Sequence, residues 1–191
     1  MDTLETGRLI LRPFCMQDLR AFAAYRSDPL VARYQTWEAP YPVEKAREFI
    51  EQMSRLETVH PGEWYQLALE LKASGEMIGD VAFHLLAEDA RQAEIGFTLS
   101  RRHQGKGYAT EAVTRLLDYL FGELCLHRVR AICDAENEPS RRLLERIGMR
   151  REGYFIKSYW LKGRWTSEYW YAILWEEWLK NQHRGSGNVE P

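Results

Sequence analysis

A basic, glycine-rich segment in the middle of the chain carries the clearest chemical signal in the sequence. Residues 94–112 read EIGFTLSRRHQGKGYATEA, beginning with the alternating apolar positions of a strand and ending in a predicted helix. Gly105 and Gly107 let the backbone approach a ligand closely. Arg102 and Lys106 add positive charge beside a helix N-terminus, whose first N–H groups have no partner within the helix. The segment therefore predicts a site for an anion such as phosphate or pyrophosphate.

The same segment admits other interpretations. A nucleotide P-loop requires Gly-x-x-x-x-Gly-Lys followed by Ser or Thr, and this motif is excluded because Lys106 is followed by Gly107. A dinucleotide fingerprint requires a third glycine where this chain has Thr110, so that match is weak. A tight turn with solvated basic side chains is the structural alternative.

Several segments, taken in order along the chain, resemble one family. The loop RxxGxGYA at 102–109 is similar to the pyrophosphate loop of the GNAT superfamily of N-acetyltransferases. The other matching segments are ETGRLILRP at 5–13, NEPS at 137–140 and IGMRREG at 147–153. Together they resemble most the RimJ/RimL-type branch, the ribosomal-protein N-terminal acetyltransferases, from Thr6 to about Trp175.

The hydrophobic pattern predicts an α+β fold with one strand, two helices, a three-stranded meander, a helix, a strand, a helix and two strands. The resemblance implies the GNAT fold, a mixed and mostly antiparallel central sheet of roughly six to seven strands flanked by about four helices. It also implies that strands 93–99 and 128–133 splay apart and hold the pantetheine arm of acetyl-CoA between them. A single domain is expected over 1–180, with 181–191 as a disordered tail.

The composition restricts the function classes. With 191 residues and 45% hydrophobic content, the chain can form one domain with a sizeable core. A formal net charge of -2 gives no general attraction to nucleic acid. Three cysteines without a Cys-x-x-Cys pair argue against disulfides or a zinc site and fit a cytoplasmic protein. No apolar run approaches about 20 residues and no signal peptide is recognised, so no membrane partner is expected.

The resemblance implies acetyl transfer from acetyl-CoA to an amine, without a metal. The loop residues that it assigns to the pyrophosphate, mainly through main-chain N–H groups, are Arg102, Gln104, Gly105, Lys106, Gly107, Tyr108 and Ala109. A backbone N–H near Phe97, Thr98 or Leu99 is assigned to the thioester carbonyl. Asn137 either caps the following helix or, as the resemblance implies, places its amide against the pantetheine arm.

The departing thiolate needs a proton donor or a hydrogen bond. Many members of the family carry a tyrosine at the position of Leu144, so this chain departs from the commoner pattern. In the RimL-like branch, a serine at the position of Ser140 is proposed as the general acid; the alternative is a first-turn serine that satisfies backbone groups. Candidate bases are Glu94 and Glu152, of which Glu152 matches a RimL-type glutamate, and His84 is a further possibility.

Direct transfer, without an acyl-enzyme, is the expected route. The alternative is an acyl-enzyme on Cys133, which ends a predicted strand near the expected cleft. A thiol nucleophile at that position would give ping-pong kinetics. A non-catalytic module that binds acyl-CoA as a sensor is an alternative from a different functional class.

The resemblance places the acceptor amine near the segment 34–41 and the hairpin 159–165. The aromatic candidates for its pocket are Tyr34, Trp37, Tyr159 and Trp160, joined by Tyr41 and Trp165. These aromatics fill a core or a dimer contact in the structural alternative. The acceptor is a protein N-terminal α-amine or a small molecule such as a polyamine or aminoglycoside. Carboxylates at 38, 44, 48 and 51 suit a polyamine, although their helical spacing is more simply a solvated face. The protein is expected to be a monomer or a homodimer.

Overall fold

A mixed β-sheet divides the molecule into two helical layers. The computed structural model describes residues 3–56 and 58–186, and the side chains up to 182. The strands are β1 (Leu4–Glu5), β2 (Leu9–Arg12), β3 (Tyr65–Leu71), β4 (Met77–Leu85), β5 (Gln92–Leu99), β6 (Arg128–Asp134), β7 (Arg150–Leu161) and β8 (Arg164–Leu174). The helices are α1 (Leu19–Arg26), α2 (Pro29–Ala32), α3 (Val43–Ser54), α4 (Tyr108–Gly122), α5 (Glu138–Arg146) and α6 (Trp175–Ser186).

The strands follow the order β1-β2-β3-β4-β5-β6-β8-β7 across the sheet. The pair β5–β6 is parallel, and the other neighbouring pairs in the described ranges are antiparallel. The α+β class and the predicted order of the main elements are confirmed. The sheet has eight strands rather than six to seven because the chain adds β1, an edge strand of 2 residues.

The described residues form six α-helices rather than the predicted four. The additional helices are α2 and α6, which the hydrophobic pattern did not predict as separate elements. Helix α6 continues to Ser186, so residues 181–186 of the predicted disordered tail are helical. The remainder of that tail, 187–191, lies outside the described residues.

Alternation along β3 shows how the sheet separates two cores. Leu67 and Leu69 belong to the larger buried cluster, which includes Leu116 of α4 and Leu144 of α5. Ala68, which points to the opposite face, belongs to a second cluster with residues of α1 and α3. A fully buried leucine contributes about 1.5–3 kcal/mol relative to an exposed one. Helices packed on both faces therefore hold the strands in one register, because a one-residue slip would exchange the two sets of side chains.

The centre of the sheet opens between β5 and β6. Their pairing begins at Gln92 and Arg128 and ends at Ile95 and Ala131, although β5 continues to Leu99 and β6 continues to Asp134. Beyond Ile95, β5 stays paired with β4 on its other side, and β6 stays paired with β8. The predicted splay is therefore confirmed, and it leaves a free edge of β5 facing a gap.

In the described part of the chain, no helix is long and apolar enough to cross a membrane. Within the same ranges, no group of three or more His, Cys, Asp or Glu side chains is arranged to hold a metal ion.

Candidate functional site

The glycine-rich loop connects the free end of β5 to the start of α4. A single 3-10 turn at Arg101–His103 follows β5, and Gly107 is the N-cap of α4. Gly105 and Gly107 have φ angles of 74° and 81°, in the left-handed region that other residues adopt only with strain. No described side chain caps this helix end. The first N–H groups of α4 are thus left to face solvent or an anionic ligand.

The N-terminal segment holds this loop in place. The Arg8 guanidinium donates through Nη1 to the Lys106 carbonyl at 3.0 Å and through Nε to Glu111 Oε2 at 2.6 Å. It also lies 4.4 Å from the centre of the Tyr108 ring. Thr6 donates its hydroxyl to Glu111 Oε1 at 2.5 Å. Thr6 and Arg8 of the ETGR sequence therefore form a brace with Glu111, which fixes the loop against the first turn of α4.

Glu111→Gln is expected to lower the free energy of unfolding by about 1 kcal/mol at pH 7, a charged hydrogen bond discounted for partial exposure. Burial raises the pKa of Glu111, but hydrogen bonds from Thr6 and Arg8 outweigh it and hold the pKa below its ordinary 4.5. A lowered pKa stabilises the fold above the ordinary value, and this contribution is lost as pH falls through the folded value. Urea unfolding at pH 7 and pH 3 should therefore show a difference that shrinks in acid.

Glu123→Gln is the matched control for that measurement, since Glu123 lies at the other end of α4 with 57% of its side chain exposed. Equal stability of Glu111→Gln and the wild type at pH 7 would contradict a structural role for the brace.

Several polar side chains of the loop are already used within the protein. Gln104 donates through Nε2 to the Leu99 carbonyl at 2.9 Å, which ties the loop to the end of β5. Arg102 is hydrogen-bonded to Glu76 on the neighbouring hairpin. Lys106 remains exposed. Burial, followed by the charges of Arg102 and Lys106, lowers the pKa of His103, so its imidazole is neutral at pH 7. The groups of this loop that remain available to an anion are therefore mainly main-chain N–H groups and the Lys106 ammonium.

A cavity of about 160 Å³ opens where β5 and β6 part. Strands β5 and β6 and helix α5 line it, together with the segment after α2 and the β7–β8 hairpin. The lining residues are Tyr34, Gln35, Ile95, Gly96, Phe97, Ala131, Ile132, Cys133, Asp134, Asn137, Ser140, Leu144, Tyr159, Leu161, Thr166 and Glu168. A free strand edge beside a cavity can bind an extended ligand as an added strand.

The N-terminus of α5 brings Asn137 and Ser140 into this cavity. Asn137 is the N-cap, and its Oδ1 accepts a hydrogen bond from the Ser140 N–H at 3.3 Å. The capping role of Asn137 is therefore present, while its Nδ2 stays available to a ligand. The Ser140 hydroxyl has no hydrogen-bond partner among the described residues, so it is not consumed by the helix cap. Leu144 lies one turn further along the helix and is buried.

The two predicted bases lie outside the cavity. Glu94 accepts a hydrogen bond from Arg130 Nε at 2.9 Å and lies 3.9 Å from His84 Nε2, inside the paired part of the sheet. Glu152 is bound by Arg128 and Arg150, and the Arg128 hydrogen bond is the main cause that lowers the pKa of Glu152 to about 2. Arg128 begins β6, at the opposite end from the gap. The structure therefore does not bring Glu152 to the cavity, and its low pKa makes it a weak proton acceptor.

The carboxylates that do line the cavity are Asp134 and Glu168. They are register partners on β6 and β8, so they lie side by side on one face of the sheet. Sequence analysis missed both. Asp134 directly follows the alternating strand 128–133, at a strand end where functional side chains are common, but Glu168 lies within an aromatic strand and gives no local signal.

The predicted acceptor-site aromatics divide into two groups. Tyr34 and Tyr159 line the cavity. Trp37 instead packs against the buried Arg26, with the guanidinium 4.0 Å from its ring, and donates to the Arg26 carbonyl at 3.1 Å. Trp160 is 56% exposed and contacts Trp165 across the hairpin, with ring centres 5.3 Å apart. Neither tryptophan is therefore placed at the cavity.

Comparison with known proteins agrees with the family resemblance of the sequence. The sequence matches the family model described as the acetyltransferase (GNAT) domain over residues 8–150. It is 37% identical over 153 residues to the N-acetyltransferase p20 of Bacillus licheniformis, covering 80% of this chain and 85% of p20.

Solved structures with the same fold contain CoA-type ligands. Mycobacterium smegmatis RimJ, in complex with CoA-disulfide, has a TM-score of 0.76 and 25% identity, covering 96% of this chain and 95% of RimJ. The spermidine N-acetyltransferase of Vibrio cholerae, in complex with CoA and spermine, has a TM-score of 0.76 and 26% identity, covering 91% and 99% of the two chains.

The split sheet, the glycine-rich loop at a helix N-terminus and the match over residues 8–150 lead to one conclusion. The chain belongs to the GNAT family of acetyltransferases and is an acetyl-CoA-dependent N-acetyltransferase.

Proposed function

We propose that the protein transfers the acetyl group of acetyl-CoA directly to a primary amine in the cavity between β5 and β6. One observation carries the proposal: pairing stops at Ile95 and Ala131, and the cavity that begins there is lined by Ser140. The free edge of β5 runs from this cavity to Leu99, shortly before the loop that precedes α4. An extended thioester substrate with an anionic end suits this order of elements.

The residues of these elements fit acetyl-CoA. Gly107 keeps the first turn of α4 uncapped, and its positive φ brings the main chain to the pyrophosphate. The free edge of β5 from Gly96 to Leu99 supplies backbone groups for the pantetheine amides and for the thioester carbonyl. Acetyl-CoA supplies an activated acyl group, and the chain has to orient it and exclude water.

Ser140 is proposed as the group that meets the departing sulfur. Its hydroxyl is free of other partners and lines the same cavity as the β5 edge. Leu144 replaces the tyrosine that many family members carry one turn further along. A hydroxyl donor at Ser140 is therefore the available replacement on this helix face.

Cys133→Ala is expected to keep the wild-type kcat, since the transfer is direct. Cys133 lines the cavity, but burial, followed by the neighbouring Asp134 charge, raises the pKa of its thiol to about 12. The thiolate is the nucleophilic form, so almost none is present at pH 7.5. Mass spectrometry of wild type incubated with acetyl-CoA and no acceptor should show no acetylated enzyme. An acetyl adduct on Cys133, together with an inactive variant, would contradict direct transfer.

The acceptor is a primary amine of one of two kinds. The relation to RimJ favours a protein or peptide α-amine, and the relation to a spermidine N-acetyltransferase crystallised with spermine favours a polyamine. Tyr34 and Tyr159 form an aromatic wall of the cavity that suits either class.

The test is an acetyl-CoA-dependent thiol-release assay with three acceptors: a peptide with a free N-terminal serine or alanine, spermidine and an aminoglycoside. Release that requires one of these acceptors supports the proposal and names its class. Calorimetric binding of acetyl-CoA without release on any acceptor would instead support the sensor alternative. Absence of acetyl-CoA binding would contradict both.

A further inference from the structure

Two carboxylates lie at paired positions of neighbouring strands that line the cavity. Asp134, the last residue of β6, is the register partner of Glu168 on β8, and both line the cavity. Directly opposite side chains in an antiparallel pair have Cβ atoms about 5 Å apart, and like charges at such positions destabilise the sheet. The fold therefore keeps an unfavourable pair of charges at the place where a substrate is expected.

The hydrogen bonds of these carboxylates leave part of each group unused. Asp134 Oδ1 accepts from the Glu136 N–H at 2.8 Å, whereas Oδ2 is fully buried and has no partner among the described residues. Glu168 Oε2 accepts from the Ser158 hydroxyl at 3.1 Å. A buried carboxylate oxygen without a donor is costly, so Asp134 would be stabilised by a donor placed beside it.

No described cation neutralises the pair. The guanidinium groups on the adjoining elements have other partners: Arg141 of α5 pairs with Glu138, and Arg164 at the start of β8 pairs with Glu136. Neither Asp134 nor Glu168 forms an ion pair within the described ranges. A cationic donor small enough to enter a cavity of about 160 Å³ would suit these two carboxylates.

We infer that Asp134 and Glu168 bind the acceptor as a primary ammonium ion and that one of them accepts its proton, which deepens and rests on the proposed acetyl transfer. An ammonium group carries three N–H donors and one positive charge, which match the two carboxylates and the buried Oδ2. Tyr34 and Tyr159 contact the carbon chain behind it. The pair takes over the role that sequence analysis assigned to Glu94 and Glu152.

One carboxylate takes a proton from the ammonium nitrogen, whose freed electron pair forms the C–N bond while the C–S bond breaks. The electron pair of the C–S bond leaves on sulfur, which gains a proton from the Ser140 hydroxyl. The second proton lost by the nitrogen restores that hydroxyl. The carboxylate then releases the first proton to solvent, so one proton is liberated for each amide formed.

The kinetic test uses Asp134→Asn and Glu168→Gln, with Glu123→Gln at the exposed end of α4 as the matched control. Spermidine and a tetrapeptide with a free N-terminal alanine are the two acceptor probes, at saturating acetyl-CoA. The variant that removes the base should lose about 100-fold in kcat/KM for whichever probe the wild type acetylates, and the other should lose less because it removes only a binding charge. Calorimetric Kd values for acetyl-CoA should not change. Retention of the wild-type kcat/KM by either cavity variant would overturn the inference.

A second measurement needs no acceptor. The amide oxygens of Asn and Gln can still accept from the Glu136 N–H and the Ser158 hydroxyl, so these hydrogen bonds are kept while the negative charge is removed. Because the two charges repel each other, both variants should unfold at a higher urea concentration than the wild type at pH 7, whereas Glu123→Gln should not. Midpoints that fail to rise would overturn the inference. When the wild type binds acetyl-CoA but acetylates neither probe, the urea measurement tests the inference by itself. Absence of acetyl-CoA binding to the wild type would instead contradict the proposed function.

Discussion

Gly107→Glu is expected to raise the Kd for acetyl-CoA by about 100-fold or more, which corresponds to about 2.7 kcal/mol. Gly107 is the N-cap of α4 at a φ of 81°, and a Cβ there would lie 3.3 Å from Arg8 Nη2. A glutamate would place a negative charge at the positive end of the helix, where the pyrophosphate is proposed to bind. Repulsion between the carboxylate and the phosphates adds to the loss of close backbone approach. Isothermal calorimetry with acetyl-CoA and CoA measures the effect.

Gly62→Glu is the matched control for strain and charge. Gly62 has a φ of 84°, close to that of Gly107. Its N–H donates to the carbonyl of Leu85, the last residue of β4, so it is not part of the glycine-rich loop. It should therefore bear a similar conformational cost without a change in Kd. Gly107→Ala separates shape from charge and should fall between the wild type and Gly107→Glu. If Gly107→Glu bound acetyl-CoA as tightly as Gly62→Glu, the loop would be a basic turn and not a pyrophosphate site.

Ser140→Ala is expected to lower kcat by about 100-fold at saturating acetyl-CoA, equivalent to about 2.7 kcal/mol of barrier. This loss is at the lower end of the rate contribution typical of general acids, because a thiolate leaves more readily than an alkoxide. The Kd for acetyl-CoA should stay at the wild-type value, since the hydroxyl acts on the departing sulfur. Steady-state kinetics with an acceptor identified by thiol release, together with calorimetry, separates these two quantities.

Stability provides the control for Ser140→Ala. The α5 cap uses the Ser140 N–H and the Asn137 side chain, so removal of the hydroxyl should leave the urea midpoint unchanged. Asn137→Ala removes the cap itself and should cost about 1 kcal/mol of stability. Ser140→Cys, which retains a weak donor, should recover part of the activity. A wild-type kcat in Ser140→Ala would show that the serine serves only the backbone.

The sequence determined the glycine-rich loop and the main secondary structure because both depend on neighbouring residues. Glycines at 105 and 107 marked the loop, and apolar spacing identified the strand before them and the helix after them. The structure gives both glycines a positive φ. The structure confirmed the α+β architecture and the separation of β5 and β6 that the family resemblance implied, and it showed where their pairing ends. The assignment of individual loop residues to pyrophosphate stays a prediction, and the structure shows that Gln104 uses its side chain to bind Leu99.

The tertiary structure decided which charged and aromatic groups reach the site. Glu152 looked like a base in sequence, but two arginines from other positions bind it away from the gap. Trp37 looked like a substrate contact, but the buried Arg26 attracts its ring. Asp134 and Glu168 become neighbours only through the register of β6 and β8. Pairing between distant strands is set by packing on both sheet faces, so no local pattern of residue types can reveal it.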